Sequence, residues 1–105
     1  MRLEECPIRA ALDVISGKWK PVILYHLMKG KKRFSELQKL MPDTAQKILT
    51  QQLRELEQDG VVVRKVFPGG RPRVEYSFSA KGESLLPVLW ELCKWAKANR
   101  LVTGT

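Results

Sequence analysis

Residues that build most metal and catalytic sites are scarce in this chain, which has two cysteines and one histidine among 105 residues. Cys6 and Cys93 lie far apart and show no metal-ligand spacing, so they suggest neither a disulfide framework nor a zinc site, and reduced thiols are expected. His26 sits in an apolar stretch (Val22, Ile23, Leu24, Tyr25, Leu27, Met28) with no nucleophile or carboxylate nearby in sequence. That argues against an enzyme, and no cofactor or metal is expected. No apolar run approaches the roughly 20 residues that cross a bilayer, and the start Met1-Arg2-Leu3-Glu4-Glu5-Cys6-Pro7 lacks the apolar segment of a signal peptide. The expected location is the cytoplasm, with no membrane partner. Repeats, low-complexity tracts and Ser/Gly linkers are also missing, so a single domain over 1–105 is expected, with a modest core that oligomerisation would help to stabilise.

Acidic residues are in short supply too: Asp and Glu total 11 against 19 Lys and Arg, a formal charge of +8. The natural partner of such a surface is a polyanion. Nucleic acid, an anionic membrane surface and an acidic protein all meet that description, so the choice falls to patterning.

The apolar residues Ile8, Ala11, Leu12 and Ile15 follow helical spacing up to Gly17. Pro21 suits the first turn of a second helix, which carries Val22, Ile23, Leu24, Leu27 and Met28 as far as Gly30. Lys31-Lys32-Arg33 reads as a connection, and Ser35 as the N-cap of a short helix bearing Leu37 and Leu40, limited by Pro42. Asp43 or Thr44 is placed to cap the next helix, Ala45 to Asp59, with Leu49, Leu53 and Leu56 on one face and Gly60 after it. Val61 to Phe67, the turn Pro68-Gly69-Gly70-Arg71-Pro72 and the alternating Val74, Tyr76 and Phe78 read as a hairpin with one buried face. Ser79 can cap a last helix from about Ala80 to Arg100, roughly 30 Å long.

A short helix, a turn at Pro42-Asp43, a second helix and a hairpin are the parts of a winged helix-turn-helix, an α+β fold that is mainly α. Residues 44–59 would form the recognition helix with its cap, 61–78 the wing and 80–100 a terminal helix. With the leucines inward, Lys47, Thr50, Gln51 and Arg54 share the opposite face, with Gln46 beside them and Thr44 at the start. Gln can bond adenine, Arg guanine, Thr can meet a thymine methyl and Lys a phosphate. Any solvated helix face can carry such residues. Here, however, Glu55, Glu57 and Asp59 are kept to the C-terminal half, away from the end that would enter a groove. Arg64, Lys65, Arg71 and Arg73 place more positive charge on the hairpin, where a wing meets flanking phosphates or a minor groove. Lys18, Lys20, Lys31, Lys32 and Arg33 add to the field.

The last helix is apolar nearly all round. Leu85, Leu89, Leu92 and Ala96 can face the body, which leaves Leu86, Trp90 and Trp95, with Cys93 in the apolar stripe, for a partner surface. A two-fold homodimer is the simplest partner, and it would place half-sites about 34–36 Å apart or a multiple of that.

Several motifs then coincide in order: Cys6-Pro7, Gly17-Lys18-Trp19, Arg33-Phe34-Ser35-Glu36-Leu37, the run Leu49 to Glu57, Asp59-Gly60, Arg73-Val74-Glu75-Tyr76-Ser77 and Gly82. Over nearly its whole length the chain resembles the HxlR-type branch of the MarR-like bacterial winged-helix transcription regulators. The resemblance implies a homodimer through the first and last helices, binding to double-stranded DNA, and repression or activation of transcription. It also implies an oxidant or small-molecule effector, with Cys6 at the position of the sensing cysteine in several members. Just before a helix N-terminus the dipole favours a thiolate, while Glu4 and Glu5 oppose it. The chain departs from the family at Met41-Pro42-Asp43-Thr44-Ala45 and in the glycine-rich hairpin turn. The alternative reading is a winged helix that serves as a protein-interaction module, because the fold does not oblige DNA binding.

Overall fold

The computed structural model describes residues 1–71 and 73–103; Pro72, expected in the hairpin turn, and Gly104 and Thr105 lie outside the described residues. A 3-10 turn at Leu3–Glu5 leads into α1, Pro7–Ile15, and then α2, Lys20–Leu27, each with a proline in its first turn. There the missing N–H costs nothing. The basic triplet read as a connection contains a short strand, β1 (Lys32–Arg33), followed directly by α3 (Phe34–Leu40). The helix α4 spans Gln46–Gln58, and the hairpin strands are β2 (Val62–Phe67) and β3 (Arg73–Phe78). The chain continues into α5 (Ala80–Glu83) and α6 (Leu86–Ala98).

The core lies where α2, α3 and α4 meet the sheet. Ile23, Leu24, Leu37, Leu49, Leu53 and Leu56 are at most 1% exposed. Leu49, Leu53 and Leu56 stand at i, i+4 and i+7, so one side of α4 is wholly apolar and fixed against the body. The sheet is antiparallel and three-stranded in the order β1-β3-β2, with Tyr76 facing Lys32 on one side and Arg64 on the other. The hairpin face bearing Tyr76, Val74 and Phe78 packs on the core as the alternation requires. The result is a winged helix-turn-helix, with α3 and α4 as the helix pair and β2–β3 as the wing.

The end of α4 shows why the chain turns there. Gly60 is in the left-handed region at φ 76°, its N–H donates to the Glu57 carbonyl, and the Val61 N–H donates to the Leu56 carbonyl. These are the paired bonds of a Schellman closure, a conformation that glycine adopts without strain. Gly82 is required for a different reason, because a Cβ there would overlap the Val61 carbonyl oxygen and press on the Phe78 ring. That close approach lets α5 start directly beneath the wing, and Ser79 caps it by accepting from the Gly82 N–H at 2.9 Å.

Local chemistry departs from the sequence reading at three helix boundaries. Ser35 is not a cap: α3 begins at Phe34 with Arg33 as N-cap, whose N–H donates to Glu36 Oε1 at 2.8 Å. A carboxylate three residues into the helix takes the role assigned to the serine. Neither Asp43 nor Thr44 caps α4, since Ala45 is the N-cap and no side chain bonds the helix end. The last helix is broken. Pro87 has no N–H for the Glu83 carbonyl four residues back, so the helix from Ala80 stops at Glu83 and a new one starts at Leu86. With 13 residues, α6 is about 20 Å long, not the roughly 30 Å expected of an unbroken helix. Its packing differs as well. Leu89 is buried and Leu85 and Ala96 are half-buried, but Leu92 is exposed, while Leu86 is half-buried and only Trp90 and Trp95 of the expected partner residues are well exposed.

Candidate nucleic-acid interface

Fixing the leucines of α4 in the core turns its other face outward. Gln46, Lys47, Gln51, Arg54 and Gln58 are exposed there and, with half-buried Thr50 and Glu55, line one open groove. Among the described residues neither Lys47 nor Arg54 forms an ion pair, so both guanidinium and ammonium donors are available. The Thr50 hydroxyl donates to the Gln46 carbonyl at 2.9 Å, which spends its proton on its own helix. Thr44 does not join this face. It is buried between α3 and α4, 9% exposed, and its Oγ1 has no hydrogen-bond partner among the described residues.

Three carboxylates near this face are paired with cations. Glu55 Oε1 accepts from Lys20 Nζ at 2.6 Å, Glu57 pairs with Arg64 at 3.3 Å, and Glu75 pairs with Arg73 at 3.3 Å and Lys31 at 3.6 Å. Lys20, Lys31 and Arg64, counted from sequence among cations able to meet phosphate, are thus engaged within the protein, and Lys20 is buried outright. The Glu57–Arg64 pair joins α4 to β2 beside the Tyr76 ring. Burial pushes the Tyr76 hydroxyl above its ordinary pKa, as does Glu57, against the opposing pull of Arg64 and Arg54. It stays a neutral phenol in this junction.

Arg71 and Arg73 divide at the wing. Arg73 stacks over the Phe67 ring at 4.3 Å and is held by Glu75, while Lys65 sits 5.1 Å from the same ring. Arg71 is exposed at the tip, two residues beyond Gly69 at φ 146°.

A second surface, formed by α1, α2 and α6, is largely apolar. A cleft of about 370 Å³ between α1, α2 and α6 is lined by Leu12, Tyr25, Met28, Leu92 and Cys93 among others. Beyond it Trp90, Leu92 and Trp95 are 48%, 50% and 62% exposed, and on α1 Ile8 is 71% exposed. Cys6, the N-cap of α1, is half-buried, as is Cys93. His26 lies on α2; burial lowers its pKa, with Lys29 and Lys32 adding to the effect.

Sequence reasoning located the polar face of α4 and set Glu55 and Glu57 in its C-terminal half, but it missed their pairing with Lys20 and Arg64. Glu75 had a legible signal, because it lies mid-strand in a hairpin otherwise charged with Arg and Lys. For Glu55 the partner comes from 35 residues away, which no local pattern reveals.

The model of the HxlR-like helix-turn-helix family matches residues 14–102. An HTH-type transcriptional regulator of Bacillus subtilis (strain 168), YtcD, is 58% identical over 94 residues, covering 90% of this chain and 74% of the relative. Among solved structures, the redox regulator HypR in its reduced form superposes with a TM-score of 0.87 at 45% identity, covering 90% of this chain and 94% of that one. The reduced form of the transcriptional regulator YodB from B. subtilis superposes with a TM-score of 0.76 at 37% identity, covering 87% and 90%. Among the described residues no helix is long and apolar enough to cross a membrane.

Proposed function

The chain belongs to the HxlR-like helix-turn-helix family of transcriptional regulators, and on that premise we propose that it acts as a homodimer that binds a palindromic operator in duplex DNA. The observation that carries this reading is the outer face of α4, where Gln46, Lys47, Gln51 and Arg54 are exposed and the neighbouring Glu55 and Glu57 are paired with Lys20 and Arg64. In the proposed complex α4 lies in the major groove. Gln51 and Arg54 contact base edges, Lys47 and Gln46 meet the backbone, and Thr50 offers van der Waals contact. Thr44 plays no part. Arg71 reaches a flanking minor groove, and Arg73 shapes the wing and adds charge beside it.

The dimer forms on the apolar side. Trp90 and Trp95, with Leu86 and Cys93 at the margin of the same surface, meet their copies across a two-fold axis, and α1 contributes Ile8 and Leu12. The protein works in the cytoplasm without catalysis or cofactor. HypR is a redox regulator, and Cys6 is the thiol that would give this chain a similar response: oxidant should change operator affinity, and the change should vanish in Cys6→Ser.

Selection from a pool of random duplexes across a salt series tests the reading. Enrichment of a palindrome with a steep loss of affinity as salt rises is the expected result. Weak binding that salt abolishes, with no sequence enriched, would sink operator recognition and favour a protein-interaction module.

A further inference from the structure

The groove over α4 contains an anomaly for a DNA-facing surface: Glu55 lines it beside Arg54 and Gln51. A bare carboxylate there would repel phosphate oxygens. The structure supplies a counter-charge from another helix. Lys20, in the first turn of α2, has a side chain only 10% exposed, and its Nζ donates to Glu55 Oε1 at 2.6 Å, while the Glu55 side chain is 39% exposed. Lys20 is therefore too buried to contact phosphate itself, yet its charge lies directly behind the acid that borders the groove. Burying a lysine is costly unless it is paired, so the arrangement needs a reason beyond surface solubility.

We propose that Lys20 is a positioning residue for DNA binding: it neutralises Glu55 from behind and holds that carboxylate against α2, so that the groove presents no unpaired carboxylate to the duplex. The proposal rests on the reading of α4 as the DNA-contacting helix. It predicts that Lys20 matters for affinity only while Glu55 is an acid, which a simple brace between α2 and α4 does not predict.

The test uses the full chain and a mixed-sequence duplex, with affinity followed by fluorescence anisotropy over a salt series and folding by thermal melting. Lys20→Met should weaken binding by at least about tenfold at low salt, with the deficit shrinking as salt screens the exposed acid. The double variant Lys20→Met/Glu55→Gln should bind close to the wild-type level. Arg9→Met frees the Asp13 carboxylate of α1 in the same way but far from the groove, and should have a much smaller effect. Should Lys20→Met fail to fold, Lys20→Gln keeps a hydrogen-bond donor and removes only the charge, and the same loss and rescue are expected of it. A double variant as weak as the single one would overturn the proposal in favour of a brace, and so would an unaffected Lys20→Met. A wild-type protein that binds no duplex would defeat the reading of α4 as well, whereas binding by the wild type with no rescue defeats the Lys20 role alone.

Discussion

Helices α4 and α6 are both 13 residues long, yet they use their apolar residues in opposite ways. The more polar helix, α4, buries every one of Leu49, Leu53 and Leu56 completely, and its exposed residues are Gln46, Lys47, Gln51, Arg54 and Gln58. The more apolar α6 buries Leu89 and leaves Trp90, Leu92 and Trp95 about half exposed or more. Apolar content alone therefore does not decide burial. What decides it is whether the body of the chain offers a surface at the right spacing, and α4 packs between α2 and β2 while α6 buries only Leu89 fully. An exposed apolar patch of that kind marks an interaction surface, whereas α4 needs nothing more to complete its packing.

The contrast can be broken most directly in the core. Leu53→Ala should cost about 2–5 kcal/mol of folding stability, read from denaturant melts, because it opens a cavity where no solvent reaches. A loss no larger than that of a surface leucine such as Leu92→Ala would show that α4 is not the better-packed helix. On the other side, Trp90→Ala should leave the fold intact and weaken self-association by about 2 kcal/mol, if the tryptophan behaves as an interface anchor. Sedimentation would then show a shift toward monomer, and an unchanged dimer would move the interface elsewhere. Between them falls DNA recognition: Gln51→Ala and Arg54→Ala should relax specificity at particular base pairs by about 1–3 kcal/mol, while Lys47→Ala weakens all sequences alike. Equal losses on every sequence from all three would remove base reading from α4.

The helix ends sharpen the same comparison on a smaller scale. Like α4, α6 closes with a Schellman pair, Arg100 N–H to the Lys97 carbonyl and Leu101 N–H to the Ala96 carbonyl, but the left-handed position is held by Arg100 at φ 58° rather than by glycine. Arg100→Gly should stabilise the chain by up to about 1 kcal/mol and Gly60→Ala should destabilise it by about as much, both visible in thermal melts. No change at either site would mean that these ends fray. The smallest effect falls on α2, which backs both faces. With the His26 pKa below the usual value of about 6.5, the unfolded chain takes up the proton first as pH falls. The contribution of His26 is therefore intact above about pH 6.5 and is lost as pH drops through the lowered folded value. Stability measured across that range should fall less in His26→Gln than in the wild type, and identical profiles would discount the histidine.

Much of this arrangement is legible in the residues. The leucine spacing of α4, the glycine that ends it, the alternation of β3 and the proline at the start of α2 each reflect one local rule, and each stands where that rule puts it. The rest depends on competition or distance. Glu36 outcompetes Ser35 as the group that organises the start of α3, and Pro87, legible as an interruption, acts as a full break because it has no N–H for the Glu83 carbonyl. The strand β1 is too short to carry a pattern and exists because β3 has an open edge to pair with. Thr44 looked like a cap and a DNA contact, but the connection from α3 turns it inward. Charge could be counted in the sequence, but which cations remained available could not. Lys20, Lys31, Arg64 and Arg73 are each taken up by an acid brought near by folding.

One of those pairs links helix to wing. Glu57 and Arg64 tie the end of α4 to the first half of the wing at 3.3 Å, beside Tyr76. If the proposed complex forms, that link would act as a calliper: a duplex touching both α4 and the wing would have to bring neighbouring grooves to the spacing between them, and sequences would then differ in the cost of being twisted or narrowed to fit.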